Sequence, residues 1–119
     1  MNREIKFRAW NEIEEKMLDW YEFLDTNMKD TFIAPEFTGL ILMQFTGLHD
    51  KNGKEIYEGD IVGDSEIKWI VKWNKHRMGF SLYPTTKQLY DEMPVNVENK
   101  LGFEVIGNIY DNPELLGGE

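Results

Sequence analysis

Hydrophobic and polar positions alternate with a period of two along much of this chain, the spacing of a half-buried β-strand. From Glu4 to Trp10, Ile5, Phe7 and Ala9 share one side, and Lys6, Arg8 and Trp10 the other. The pattern is clearest from Ile67 to Trp73, where Ile67, Trp69, Val71 and Trp73 line one face and Lys68, Ile70 and Lys72 the other. Gly79 to Tyr83 returns with Phe80 and Leu82 on one face, and Pro84 ends that strand because it has no N–H for a ladder. Glu104 to Tyr110 alternates again, and Leu40 to Thr46 is a short apolar run that fits a well-buried strand. Ile56-Tyr57 and Asp60 to Val62 make two further short strands. Lys16 to Leu24 fits two templates. Met17, Leu18, Trp20, Tyr21 and Leu24 also lie on a helical stripe, but the aromatics and the short connection favour a hairpin partner for the first strand.

Turn chemistry separates these segments. Asn11 to Glu15 and Asn74 to Arg77 are polar turns, and Asn52-Gly53 pairs two residues that tolerate positive φ. Asp25 to Phe37, with Asn27, Asp30, Thr31 and Pro35, reads as loop. Thr85 to Met93 has room for a helical turn or two. Asn112-Pro113-Glu114 opens a short helix, with Asn as cap and Pro at the first position. Six or so short strands with little helix predict a mainly β fold, β-rich α+β, built as a barrel or sandwich. The expectation is one compact domain over residues 1–119. If it subdivides, the seam is the loop, with an N-terminal hairpin over 1–37 and a β-barrel-like unit over 38–119.

Composition narrows the function classes. The chain has 119 residues, with 41% hydrophobic and 13% aromatic content, enough for a packed core. It has no cysteine, which removes disulfides, thiolate nucleophiles and Cys-based zinc sites. The longest apolar stretch, Leu40 to Met43, is too short to span a bilayer, and the N-terminus lacks the apolar region of a signal peptide. A soluble, cytoplasmic protein is the expectation. The net charge of −9 opposes general nucleic-acid binding. The charge is uneven: Glu66 to Tyr83 carries Lys68, Lys72, Lys75 and Arg77 against Glu66 alone, a local +3 that leaves −12 on the rest. Such a strip steers a partner or is merely a strand's solvent face.

Few residues suggest chemistry. His49-Asp50 beside the Asn52-Gly53 turn pairs a base with a carboxylate, but adjacent residues on an extended chain point apart, and Asp50 is better placed to cap its own turn. Asp60 with Glu58 and Asp64 matches no EF-hand spacing and reads as a turn-stabilising carboxylate. Gly47, Gly53 and Gly59 recur every six residues, yet no Gly-Lys-Ser/Thr and no helix follows them, so they form neither a P-loop nor a dinucleotide fingerprint. No catalytic, metal or cofactor site is expected.

Three blocks carry a family resemblance. Arg3 to Trp10 (Arg-Glu-Ile-Lys-Phe-Arg-Ala-Trp) is one. Met43 to Leu48, followed by Asp50 to Val62 (Asp-Lys-Asn-Gly-Lys-Glu-Ile-Tyr-Glu-Gly-Asp-Ile-Val), is the second. Val105 to Leu116 (Val-Ile-Gly-Asn-Ile-Tyr-Asp-Asn-Pro-Glu-Leu-Leu) is the third. In this order they resemble the YopX family of small bacteriophage and prophage proteins. The resemblance implies a phage or prophage product in the host cytoplasm and a mostly β fold. It further implies an SH3-like barrel for the C-terminal part, and the fold expected for the whole chain is an N-terminal β-hairpin packed on that small barrel. It implies no activity and no catalytic residues.

The functional expectation is therefore a non-enzymatic module that binds a protein, of host or phage origin, or itself as a homo-oligomer. Its partner surface is expected around Trp20, Tyr21, Trp73, Lys75, His76 and Arg77. Trp69 and Trp73 share a face with aliphatic neighbours, which favours a core position for both. The alternative is a nucleic-acid role, by mimicry through the acidic surface or by direct binding through residues 66–83.

Overall fold

Strand β1 (Phe7–Asn11) pairs antiparallel with β2 (Lys16–Leu18), Ala9 opposite Leu18, and on its other side with β3 (Leu40–His49), Ala9 opposite Leu42. The structure, a computed structural model, describes residues 4–63, 67–85, 93–94 and 103–116. Between β1 and β2 the Asn11 side chain closes the predicted turn, its Oδ1 accepting from the N–H groups of Ile13 and Glu14 at 2.9 and 3.0 Å.

The strand expected to run to Leu24 stops at Leu18. Asp19 caps helix α1 (Trp20–Leu24), accepting from the Glu22 N–H, while the Glu22 carboxylate accepts from the Asp19 N–H. This reciprocal capping box satisfies two helix-end donors and decides for the helical stripe. The segment expected to be loop holds helix α2 (Met28–Ile33) and a 3-10 turn at Pro35–Phe37. Tertiary packing explains it: the Phe32 ring stands edge-on to Phe7 at 5.4 Å and to Phe23 at 5.9 Å. Ring packing of this kind stabilises a six-residue helix that propensity alone would not.

Strands β4 (Glu55–Tyr57), β5 (Asp60–Gly63), β6 (Lys68–Asn74), β7 (Gly79–Pro84), β8 (Met93–Pro94) and β9 (Glu104–Asn108) follow. One sheet has the order β2-β1-β3-β4 and the other β8-β7-β6-β5-β9. All registers are antiparallel, and the second sheet curls as a half-barrel with an irregularity in β5–β9 between Ile61 and Val62. The fold is mainly β, as the alternation predicts. The expected helical turns at Thr85–Met93 lie mostly outside the described residues. The last predicted helix is a 3-10 turn, Pro113–Leu116.

The chain divides into two compact units, Met1–Phe45 and Thr46–Glu119. The first has a small core of Ala9, Leu18, Phe23 and Leu40, flanked by Phe7, Trp20, Met28 and Leu42. The second buries Ile56, Val62, Trp69, Val71 and Leu82, with Leu48, Phe80 and Val105 among the residues packed on them.

Candidate interaction surface

The strongly patterned residues 50–62 are consumed by backbone architecture. Asp50 is 6% exposed. Its Oδ1 accepts from the N–H groups of Asn52 and Lys54 at 2.8 and 2.9 Å, which folds the Asn52-Gly53 turn, and Gly53 takes the positive φ of 83° that glycine allows. Its Oδ2 reaches across to the N–H of Val105 in β9 at 2.8 Å. Burial raises the Asp50 pKa, but the N–H groups of Val105, Lys54 and Asn52 and the Lys54 ammonium together bring it below the ordinary value. Around this contact the Lys51 N–H donates to the Phe103 carbonyl, and the Asn52 side chain donates to Glu104. The second and third patterned blocks thus meet as a clasp on the edge strand β9. His49, by contrast, is exposed at the end of β3.

A matching device closes the far end of β9. Asn108 Oδ1 accepts from the N–H groups of Tyr110 and Asp111, and Asn112 Oδ1 accepts from the Asn108 N–H at 3.2 Å. An edge strand whose donors are covered this way is a poor template for adding another chain. A Cβ on Gly107 would stand 2.6 Å from Asn112 Oδ1. Gly107→Ala is therefore expected to push that side chain off the Asn108 N–H and cost about 1–2 kcal/mol. Urea unfolding should show that Asn112→Ala costs as much and that the double variant is little worse than either. Fully additive losses would refute this account.

Asp60 is also structural. It is buried, and its Oδ2 accepts from the Tyr57 N–H at 2.7 Å. Asp64, which a metal site here would have needed, lies outside the described residues. Among the described residues no three His, Asp or Glu side chains converge as metal ligands, and no helix is long and apolar enough to cross a membrane.

The exposed features lie elsewhere. At the tip of the β6–β7 hairpin, Asn74 Oδ1 accepts from the N–H groups of His76 and Arg77, a side-chain-closed turn, and Met78 has the unusual φ of 56°. Trp73 departs from the expected core position. Trp69 on the same face is buried, but Trp73 is 50% exposed, its ring packed nearly perpendicular to Phe80 with centroids 5.2 Å apart. Lys75, His76, Arg77 and Met78 follow it as exposed residues, and Lys72 is exposed on the opposite face of β6, its ammonium 5.4 Å from the Tyr83 ring centroid.

In the first unit, Trp20 is half-buried on Phe23, whereas Tyr21 is 75% exposed. The capping box sets this. It starts the helix at Trp20, so Trp20 and Phe23 fall inward while Tyr21 and Leu24, three apart, share an outer face. Leu24, Phe32, Ile33 and Phe37, the last 84% exposed, extend the apolar surface of this segment. Sequence reading missed these four residues and Met78. The signal for Leu24 was Asp19-x-x-Glu22, whereas the others follow from packing.

Among curated proteins none matches the chain. Among solved structures it is similar to the crystal structure of protein EF1440 from Enterococcus faecalis. The identity is 28% and the TM-score 0.66, over 98% of this chain and 100% of that one. The family model described as YopX protein matches residues 6–117, a span that takes in the β1 ladder, the Asp50 clasp and the Asn108–Asn112 turn. With nearly its whole length matched, the chain belongs to the YopX family.

Proposed function

We propose that this protein is a non-enzymatic binding module whose partner is a protein. The observation that carries this reading is the exposed apolar surface of residues 20–37. Tyr21, Leu24, Phe32, Ile33 and Phe37 are all exposed within eighteen residues. Single exposed apolar side chains are ordinary, but a concentration of large ones marks an interaction surface. Tyrosine and phenylalanine are also enriched at the centres of protein interfaces. The family resemblance supports placing this activity in the host cytoplasm of a phage or prophage, with the curled sheet of the second unit as an SH3-like support.

The nucleic-acid alternative draws on the exposed cations of the β6–β7 tip. It is the weaker reading, because a tip with Lys72, Lys75 and Arg77 makes about three phosphate contacts against a chain of net charge −9.

Capture of tagged protein from nuclease-treated bacterial lysate tests the proposal. The unaltered chain is expected to retain a protein that the Tyr21→Asp/Phe37→Asp variant loses, with unchanged thermal unfolding because both side chains are exposed. Identical capture by the two, or capture that needs nucleic acid, overturns it.

A further inference from the structure

We propose that the β6–β7 tip of one copy docks on residues 19–37 of a second copy of this chain. The inference rests on the reading of that segment as a protein-binding face and names its occupant. The two surfaces are complementary in charge and alike in apolar character. From Ile67 to Thr85 there is no acidic residue, and the turn that follows the half-exposed Trp73 carries Lys75 and Arg77 with the 80% exposed Met78. From Asp19 to Phe37 the chain carries Asp19, Glu22, Asp25, Asp30 and Glu36 against Lys29 alone, a local −4, beside the exposed Tyr21, Leu24 and Phe37.

Two whole copies of charge −9 repel, so association requires opposite charges to face each other at the contact. The tip supplies the positive apolar surface and the helical segment the negative one. Trp73 suits an anchoring role. Its near-perpendicular contact with Phe80 holds the indole, which limits the rotamer entropy lost when its exposed half is covered. The turn behind it is closed by Asn74, so the surface is preformed. A contact between unlike surfaces is heterologous. It closes if two copies exchange tips, and otherwise propagates head to tail.

Charge reversal on each side gives the test. Asp25 and Glu36 are exposed and outside the capping box, and Lys75 and Arg77 are exposed turn residues. Sedimentation of the purified protein at about 100 µM, the range of a small, weak interface, is expected to show association. Lys75→Glu/Arg77→Glu alone and Asp25→Lys/Glu36→Lys alone should both be monomers. Mixing the two variants should restore the complex, although the mixture carries the same total charge as two unaltered copies. Trp73→Ala should weaken association about thirtyfold.

A strictly monomeric unaltered protein overturns the inference. So does association that survives both reversals, or a mixture that stays monomeric. A single-stranded oligonucleotide bound by the unaltered protein and released by Lys75→Glu/Arg77→Glu also overturns it, by assigning the tip to nucleic acid. Monomeric protein whose capture of another protein still depends on Tyr21 and Phe37 removes this inference alone and leaves the binding-module reading standing.

Discussion

Asp50→Ala is expected to destabilise the second unit by about 3–5 kcal/mol, the largest loss from any single polar change here. The carboxylate accepts from three backbone N–H groups, those of Asn52, Lys54 and Val105. Each buried donor left without an acceptor costs about 1–3 kcal/mol, and the two in the exposed turn recover part of this from water. Val105 lies 55 residues away in β9, so its loss also unfastens the clasp on that strand. Asp50→Asn keeps one acceptor oxygen for donors now served by two, and should fall about halfway between.

The effect is pH-dependent, and its sign follows from the direction of the shift. Burial raises the pKa, the N–H groups of Val105, Lys54 and Asn52 and the Lys54 charge lower it, and the lowering wins. A carboxyl depressed in the native state binds its proton more readily in the unfolded one. The stabilisation is therefore fully present above about pH 4 and is lost as pH falls through the lower native value. Urea unfolding of the unaltered protein and Asp50→Asn at pH 7 and pH 3 checks this. The gap between them should narrow at pH 3, and a constant gap would contradict the account.

Phe23→Ala should cost the first unit about 3–5 kcal/mol. Phe23 has no exposed surface, and its ring contacts Phe32 edge-on at 5.9 Å and Trp20 at 6.3 Å. Among the described residues the buried cluster around it is Ala9, Leu18 and Leu40, with Phe7, Trp20, Met28 and Leu42 packed on it, so its loss leaves a cavity at the centre of a small core. Helix α2 depends on this ring through Phe32, since its Asn27 cap makes no side-chain hydrogen bond. Amide hydrogen exchange should show loss of protection in α1, α2 and β2. Unchanged protection in α2 would show that the helix does not rest on Phe23.

Legibility in the sequence tracked the range of the deciding interaction. The strands around β1, β6, β7 and β9 were readable because a period of two is a local property of the chain. The turns at Asn11, Asn52-Gly53 and Asn112-Pro113 were readable for the same reason, as Asn, Gly and Pro act within three or four residues. The Asp50 turn bonds belong with them. The Asp19–Glu22 capping box was equally local, but it competed with an aromatic strand pattern over the same residues, and the cap decided between them.

What this sequence by itself determined is a mainly β chain with the turn chemistry to shape it, uneven charge and family membership. The tertiary structure alone decided that Asp50 also holds Val105, because a bond across 55 residues leaves no periodicity to read. It alone decided that Trp69 is buried while Trp73, on the same face, is half exposed, since alternation assigns a side and not the depth of cover. It alone turned residues 28–33 into a helix, because Phe32 has partners only once β1 and α1 are in place. Burial is a property of what lies across the gap, and the sequence of one segment does not contain its neighbours.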